Sequence, residues 1–232
     1  MLFNARQWPD GFVFPACVLC NRVTRDDEQI LALLARVYPD AATESERREM
    51  QERMRAVAKN FPEILHEMTP TARQLRDARK KYGLKPPHDG SLRDLPLLSL
   101  RGKRLNQSVL QFGRKLALAL FYKHTKNILP VTGSIALRWY SNLQIDADEI
   151  PRELADVLTQ FPPLVRNNTN LGDQFFYRLG VADTRELLAF LALFRRSFGI
   201  FGTVVADGSK LTLPEGVEQF GPFNWATDAS AG

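Results

Sequence analysis

Apolar residues recur at helical spacing through the first half of the chain. The apolar run from Ile30 to Tyr38 follows Thr24-Arg25-Asp26-Asp27, whose hydroxyl-x-x-acid pattern is typical of a helix start, and a proline ends the run. A second, strongly charged helix is predicted over 43–59. A third, basic helix is predicted from Pro70 to Tyr82, and Gly83 closes it.

The longest predicted helix covers residues 104–123, where apolar side chains mark one side. That side consists of Leu105, Val109, Phe112, Leu116, Leu120 and Tyr122. On the opposite side we expect four cations to reach solvent, namely Arg104, Arg114, Lys115 and Lys123. A helix with one apolar side must pack it against another layer of structure.

Aromatic and β-branched runs become frequent in the second half of the chain. Strands are predicted over 134–140, 174–179 and 200–205, and a short helix over 150–160. Residues 187–194 are so uniformly apolar that their spacing fits either a helix or a buried strand. The pattern therefore predicts an α+β fold, with a helical first half followed by a small sheet packed on the long helix.

The first forty residues are predicted to form a short strand, a tight knuckle and a helix. Phe12-Val13-Phe14 is the predicted strand. The chain is accordingly divided into a strand–knuckle–helix segment over 1–40, a basic helical segment over 41–90 and an α+β part over 91–232. A proline-rich linker, Lys85-Pro86-Pro87-His88-Asp89-Gly90, ends the second segment.

Composition restricts the class of protein. The chain has 232 residues, 44% of them hydrophobic and 25% charged, which suffices for a sizeable core without disulfides. Its first twenty residues lack the basic start and apolar centre of a secretory signal, and no apolar run is long enough to cross a bilayer. We therefore expect a cytoplasmic protein that does not enter a membrane.

Positive charge is concentrated in one stretch. From Arg73 to Lys126 there are fourteen Lys or Arg and three acids, whereas the whole chain carries only +5. Such a band favours a polyanionic partner, with DNA first, and a solvated helix surface is the alternative. Positions 73, 76 and 80 share one side of a helix and can follow a phosphate backbone. The predicted nucleic-acid contacts are Arg73, Arg76, Arg79, Lys80 and Lys81.

The only two cysteines lie in Pro15-Ala16-Cys17-Val18-Leu19-Cys20-Asn21, and three acids follow at positions 26–28. The Cys-x-x-Cys spacing is that of a zinc knuckle, in which a turn directs two thiolates at one metal. A structural zinc needs four ligands, so this segment is half of a site. Two alternatives stay open: the cysteines are small buried hydrophobes, and the acids stabilise the first turn of a helix.

The strand, knuckle, asparagine, acidic turn and helix together resemble the HNH endonuclease family, in its zinc-stapled branch. The likeness covers about the first forty residues. It implies that Cys17 and Cys20 are the second zinc pair of that family. It also implies that Asn21 orients the catalytic base or the loop, and that Asp26, Asp27 or Glu28 lies near the third motif position. Asp26 and Asp27 are the predicted ligands of the catalytic metal.

The family hydrolyses DNA with a histidine as general base and a divalent ion such as Mg²⁺ at the developing charge. This chain departs from the family, because it lacks the first cysteine pair and the histidine-bearing strand. Its three histidines, His66, His88 and His124, lie far downstream. Met1-Leu2-Phe3 is similar to the segment after that strand, and 172–177 gives a weaker likeness. The resemblance implies structural Zn²⁺ in an incomplete site, and catalytic Mg²⁺ in the complete protein.

Two explanations of this departure predict different functions. In the first, the chain is a shortened HNH-type endonuclease, and as given it should have little activity. In the second, it is a degenerate relative with a vestigial zinc knuckle that binds nucleic acid or a protein without cutting. A third class is an interaction module whose long helices form a homo-oligomer or a larger complex. The endonuclease relative is the leading hypothesis.

Overall fold

The computed structural model describes residues 8–14, 18–37, 43–86, 90–91, 97–151, 158–211 and 216–222. The helices of the first half are α1 (Val18–Val23), α2 (Arg25–Leu34), α3 (Glu44–Asn60), α4 (Pro62–Met68), α5 (Ala72–Tyr82) and α6 (Lys103–Thr125). The helices predicted in this half are confirmed to within a few residues at their ends. None of the described helices combines the length and the hydropathy that a membrane crossing requires.

The second half forms a six-stranded sheet in which all neighbouring strands are antiparallel. Its strands are β1 (Ser134–Ser141), β2 (Thr159–Gln160), β5 (Phe175–Val181), β6 (Leu187–Phe194), β7 (Phe198–Val205) and β8 (Glu218–Phe220). Their order across the sheet is β2-β5-β6-β7-β1-β8. A short helix, α7 (Asn142–Asp146), follows β1, and a separate hairpin pairs β3 (Val165–Arg166) with β4 (Thr169–Asn170). The predicted α+β fold is confirmed.

Helix α6 lies on the sheet, and its apolar side is at the centre of the core. Leu105, Val109 and Leu120 are fully buried there. A Cβ on Gly113 would lie 3.1 Å from Leu137 Cδ1 and 3.4 Å from an Ile200 methyl, so a glycine lets the helix approach the sheet closely. The predicted packing of the sheet on the long helix is therefore correct.

Aromatic rings continue this core along the inner face of the sheet. Phe175 stacks on Phe194 with a centroid distance of 4.9 Å, and Phe194 stacks on Phe198 at 4.8 Å. Phe175 and Tyr177 also stack, at 5.8 Å. These rings lie on one face because alternate residues of a strand point the same way.

One hydrophobic cluster joins α2, α3, α4, α6 and the sheet. Val57 of α3 and Ile64 of α4 belong to it together with Leu137 of β1. Members of all three predicted segments therefore share this core. The three-part division of the chain stays a prediction.

The ambiguous run Leu187–Phe194 is strand β6, which pairs with β5 on one side and β7 on the other. Both faces of this central strand contain buried residues, such as Phe190 and Leu191. Burial on both faces explains why its sequence shows no alternation.

One predicted element is wrong, and a second is contradicted at its end. Phe12-Val13-Phe14 forms no strand, because the Phe12 N–H donates to the Pro9 carbonyl in a turn and the Phe12 ring packs edge-on against Phe175. The helix predicted over 150–160 fails at its end, where Thr159–Gln160 is β2. Residues 152–157 lie outside the described part of the chain.

Two side chains of α6 are misplaced by the sequence pattern. Arg114, expected in solvent, is fully buried, and its guanidinium donates to the Gly221 carbonyl and lies 5.9 Å from the Phe220 ring centre. It directly follows Gly113, where the helix and the sheet meet most closely. Tyr122, expected in the core, is 37% exposed.

Candidate nucleic-acid interface and cysteine segment

The cysteine segment leads into two consecutive helices. Cys17 and the side chain of Cys20 lie outside the described part of the structure. Asn21 lies in α1 with its side chain exposed, and Asp26 is exposed at the start of α2. Neither Asn21 nor Asp26 is held in the core, so both are available for contact with another group.

The described residues do not by themselves form a metal site. Within them, no three His, Cys, Asp or Glu side chains are grouped closely enough to hold an ion. The sequence offers two thiolates for a tetrahedral zinc, which needs two further ligands. The fit to Zn²⁺ or Mg²⁺ is therefore incomplete, and the zinc and magnesium assignments stay predictions.

Asp27, a predicted metal ligand, instead joins α2 to α6. Its Oδ1 lies 2.9 Å from Arg104 Nη1 and accepts a 2.9 Å hydrogen bond from Ser108 Oγ. Burial raises the pKa of the Asp27 carboxyl above its usual range, although Arg104 and Ser108 oppose the shift. The carboxylate is thus already occupied by two partners on α6, and a metal would have to displace them.

A second ion pair lies beside the first. Lys115 Nζ is 2.5 Å from Glu28 Oε1 and donates to Thr24 Oγ1 at 3.2 Å. Thr24 is the N-cap of α2, as its pattern predicts, but its side chain makes no capping hydrogen bond. Asp27 and Glu28 therefore contribute to packing on α6 in addition to any interaction with the helix dipole.

Helix α5 is fixed at both ends. Its first turn has a capping box, in which the Gln74 N–H donates to Thr71 Oγ1 and the Thr71 N–H donates to Gln74 Oε1. Gly83 ends the helix with a φ of +65°, a conformation that favours glycine. Leu75 is buried and anchors one side of the helix.

The other sides of α5 carry the five predicted nucleic-acid contacts, and all five are exposed. Arg73 lies 3.9 Å from Asp77, and Lys81 Nζ lies 2.8 Å from Glu149 Oε1. The remaining three, Arg76, Arg79 and Lys80, have no ion-pair partner within the described ranges. Positions 73, 76 and 80 face the same way, as the spacing predicts.

A comparison with α3 shows that charge alone does not produce this face. Helix α3 has five cations but also Glu44, Glu46, Glu49 and Glu52, so its charges nearly balance. The only acid in α5 is Asp77. Several other cations of the positive band are engaged in the fold, since Arg104 and Lys115 are paired with acids. Helix α5 therefore carries five exposed cations against one acid, and four further exposed cations of the band lie outside it among the described residues, namely Lys85, Arg101, Lys103 and Lys126.

A cleft of about 380 Å³ lies beside α5. Its walls come from α5, residues 97–101, Trp139 of β1 and the start of α7. The volume is within the range of small-molecule pockets. Sequence reasoning missed this cleft, because its walls come from segments that are far apart in the chain and no local pattern connects them.

The histidines are dispersed. His66 is exposed on α4, and His88 lies outside the described residues. His124 is half-buried near the end of α6, with Nε2 3.2 Å from the Tyr177 hydroxyl. Burial lowers the pKa of His124, and Lys123 and Lys126 lower it further, whereas burial raises the pKa of Tyr177 to about 12. This neutral pair forms part of the aromatic core.

Comparison of the chain with protein-family models, with characterised proteins and with solved structures gives no significant match. The likeness to HNH endonucleases accordingly rests on the residues of the cysteine segment, and it stays a prediction.

Proposed function

We propose that this chain binds nucleic acid, with DNA as the first candidate, and that the exposed cations of α5 are the contact surface. The observation that supports this most directly is the set of three cations, Arg76, Arg79 and Lys80, which have no ion-pair partner among the described residues. They project from a helix that the buried Leu75 anchors to the rest of the fold. The cytoplasmic location belongs to the same proposal.

The physical argument concerns counterions. A duplex carries a condensed layer of cations, and each phosphate that a protein cation neutralises releases part of it. Cations already paired with acids contribute less, because they exchange one anion for another. Arg76, Arg79 and Lys80 have no ion pair with a described residue to give up when they bind a phosphate. The packing of α5 has also already restricted the backbone that carries them.

A double charge reversal tests the proposal. We expect Arg76→Glu with Lys80→Glu to reduce the affinity for a short DNA duplex, measured by fluorescence anisotropy, at least tenfold at low salt. The matched control is Arg48→Glu with Arg55→Glu, two exposed positions of α3, which changes the net charge equally. Equal losses in both variants would mean that net charge, and not the α5 surface, attracts the DNA.

A second function, metal-assisted hydrolysis of DNA, is favoured by one observation. Asn21 directly follows Cys20, Asp26 lies six residues after Cys20, and both are exposed instead of being used in packing. The complete protein would need a general base that this chain does not identify. We therefore expect the chain alone, given Mg²⁺ and supercoiled plasmid, to produce no nicks above background. Nicking that is lost in an Asn21→Ala variant would contradict the missing base and strengthen the endonuclease assignment.

A further inference from the structure

The cleft beside α5 and the cations proposed to bind DNA lie on opposite sides of that helix. Gln74, Ala78 and Lys81 line the cleft. Arg76 and Lys80 lie about 160° around the helix from Ala78, because successive helical residues are about 100° apart. The cleft is therefore a second candidate site, and its occupant need not contact the nucleic acid.

Apolar side chains that are still partly open to water form much of the cleft lining. Trp139 and Leu100 are half-buried there, and Leu98 is 37% exposed. The indole N–H of Trp139 donates to Asn106 Oδ1 at 2.7 Å, which holds its ring in place. A ligand with an apolar body would remove this surface from water, and a volume of about 380 Å³ suits a small organic molecule.

The charged groups of the lining favour an anion. They are the cations Lys81 and Arg101 and one acid, Asp77. Lys81 already has an ion-pair partner outside the lining, since its Nζ lies 2.8 Å from Glu149 Oε1. Asp77 also has one, since its Oδ2 lies 3.9 Å from Arg73 Nε. Arg101 is exposed and has no ion pair within the described part of the chain, so its guanidinium is left for a ligand.

The uncharged donors of the lining favour the same class of ligand. Gln74 Nε2 donates one N–H to Ser99 Oγ at 3.1 Å and has a second N–H. The Asn142 side chain lines the cleft and makes no hydrogen bond to a described residue. Together with the Arg101 guanidinium, these N–H groups offer donors to an anionic oxygen, which accepts but does not donate.

We propose that this cleft binds a small organic anion, with its apolar body against Trp139 and Leu98 and its anionic group on Arg101. Carboxylates, sulfonates and phosphate monoesters with an apolar or aromatic body share this chemistry. Free phosphate lacks a body for the apolar lining, and a neutral apolar molecule leaves Arg101 unused. The site does not depend on the proposed nucleic-acid binding, so a failure of that proposal leaves this one standing.

Two fluorescent probes that share one ring system test the preference for an anion. Anilinonaphthalene sulfonate is an anion, and phenylnaphthylamine has the same rings without the sulfonate. We expect a single molecule of the anion to bind per chain, about fivefold more tightly than the neutral probe, as one partly exposed charge pair predicts. Arg101→Gln should remove most of this difference. Lys103→Gln, which changes an exposed cation outside the lining, should keep it.

A second pair of variants locates the apolar body. Ala78→Leu adds bulk to the cleft wall without changing a charge, and Ala72→Leu, on the exposed first turn of α5, is its matched control. We expect Ala78→Leu to weaken the binding of both probes about tenfold, because it occupies space that their rings need. If Ala78→Leu does not fold, Leu98→Asn, which removes a partly exposed apolar contact, should weaken both probes in the same direction.

The same titrations can overturn the inference. Absence of binding, or equal affinity for the two probes, would contradict an anion site. Equal losses in Arg101→Gln and Lys103→Gln would assign the preference to net charge instead of to the cleft. Equal binding by Ala78→Leu and Ala72→Leu would place the probes elsewhere on the surface.

Discussion

Arg104 Nη1 lies 2.9 Å from Asp27 Oδ1, and this contact joins the helix after the cysteine segment to the central helix of the fold. The two partners are not equivalent, because the Asp27 side chain is 6% exposed and the Arg104 side chain 34%. Burial raises the pKa of Asp27 despite the cation. Burial of the ionised Asp27 carboxylate therefore destabilises the fold more than burial of Arg104 does, and the Arg104 cation offsets part of this destabilisation.

Removing the cation should harm the fold more than neutralising the acid. We expect Arg104→Gln to lower the free energy of unfolding by about 2–4 kcal/mol, because it leaves a buried carboxylate without a cation. Asp27→Asn should cost less, and the double variant should recover part of the loss. Urea denaturation measures all three, with the exposed neighbour Lys103→Gln as control. A larger loss in Asp27→Asn than in Arg104→Gln would refute this account of the pair.

The same pair predicts a pH dependence. The pKa of Asp27 is higher in the folded chain than in the unfolded chain. The ionised carboxylate therefore destabilises the fold at neutral pH, and this destabilisation disappears as the pH falls through the folded pKa. The difference in the free energy of unfolding between Arg104→Gln and the unmodified chain should therefore become smaller as the pH is lowered. A deficit that is constant with pH would indicate lost packing instead of an uncompensated charge.

A side chain on Gly102 should disturb the cap at the start of α6. The Glu67 carboxylate accepts hydrogen bonds from the N–H groups of Arg104 and Leu105, at 3.1 and 3.0 Å, and so caps the helix. A Cβ on Gly102 would lie 2.2 Å from Glu67 Oε2 and 2.5 Å from its Cβ. Gly102→Ala should therefore lower the melting temperature through the loss of a cap worth about 1–2 kcal/mol. Gly221→Ala, where a Cβ meets nothing within 4 Å, is the control and should be nearly silent.

His124 should make the fold sensitive to mild acid. Its pKa is lowered from 6.5 in the folded chain, so below that value the unfolded chain takes up a proton that the folded chain does not. Stability should therefore be greatest above pH 6.5 and decline as the pH falls below it. His124→Gln should flatten this decline in thermal unfolding, and the exposed His66→Gln should not. If stability declined equally with falling pH in the two variants, His124 would not be the cause of the decline.

The acids of α2 provide a test of the endonuclease hypothesis. If an acid of this segment contacts a divalent ion, the exposed Asp26 is the available one, because Asp27 already has two partners. We expect Asp26→Ala to weaken Mg²⁺ binding in calorimetry and Asp27→Asn to leave it unchanged. Unaltered binding in Asp26→Ala would end the metal-ligand role of this segment.

The sequence predicts the helices well because their signals are local. Thr71, Gln74 and Gly83 set the ends of α5 through contacts within a few residues, and both caps occur in the structure. The sequence also predicts the strands that contain runs of β-branched and aromatic residues. Leu187–Phe194 was ambiguous, since a strand buried on both faces and a buried helix have the same composition.

The sequence pattern does not predict which residues far apart in the chain pack together. Arg114 looks like a surface cation by its spacing, but it follows Gly113, where the helix approaches the sheet closely, and its buried guanidinium donates a hydrogen bond to the Gly221 carbonyl. Asp27 looks like a helix-dipole residue, and its partners are about eighty residues away. The cleft beside α5 has the same origin, because its lining is assembled only by the tertiary fold.

The salt dependence of DNA binding tests the central claim most directly. If Arg76, Arg79 and Lys80 each neutralise one phosphate, a plot of the logarithm of the association constant against that of the salt concentration should have a slope of about −2.7 for duplex DNA. Reversal of Arg76 and Lys80 should reduce the slope to about −0.9, since one contact remains. The α3 control pair should keep the original slope. A slope that is unchanged by reversal on α5, or that falls equally in the α3 control, would contradict nucleic-acid binding through this helix.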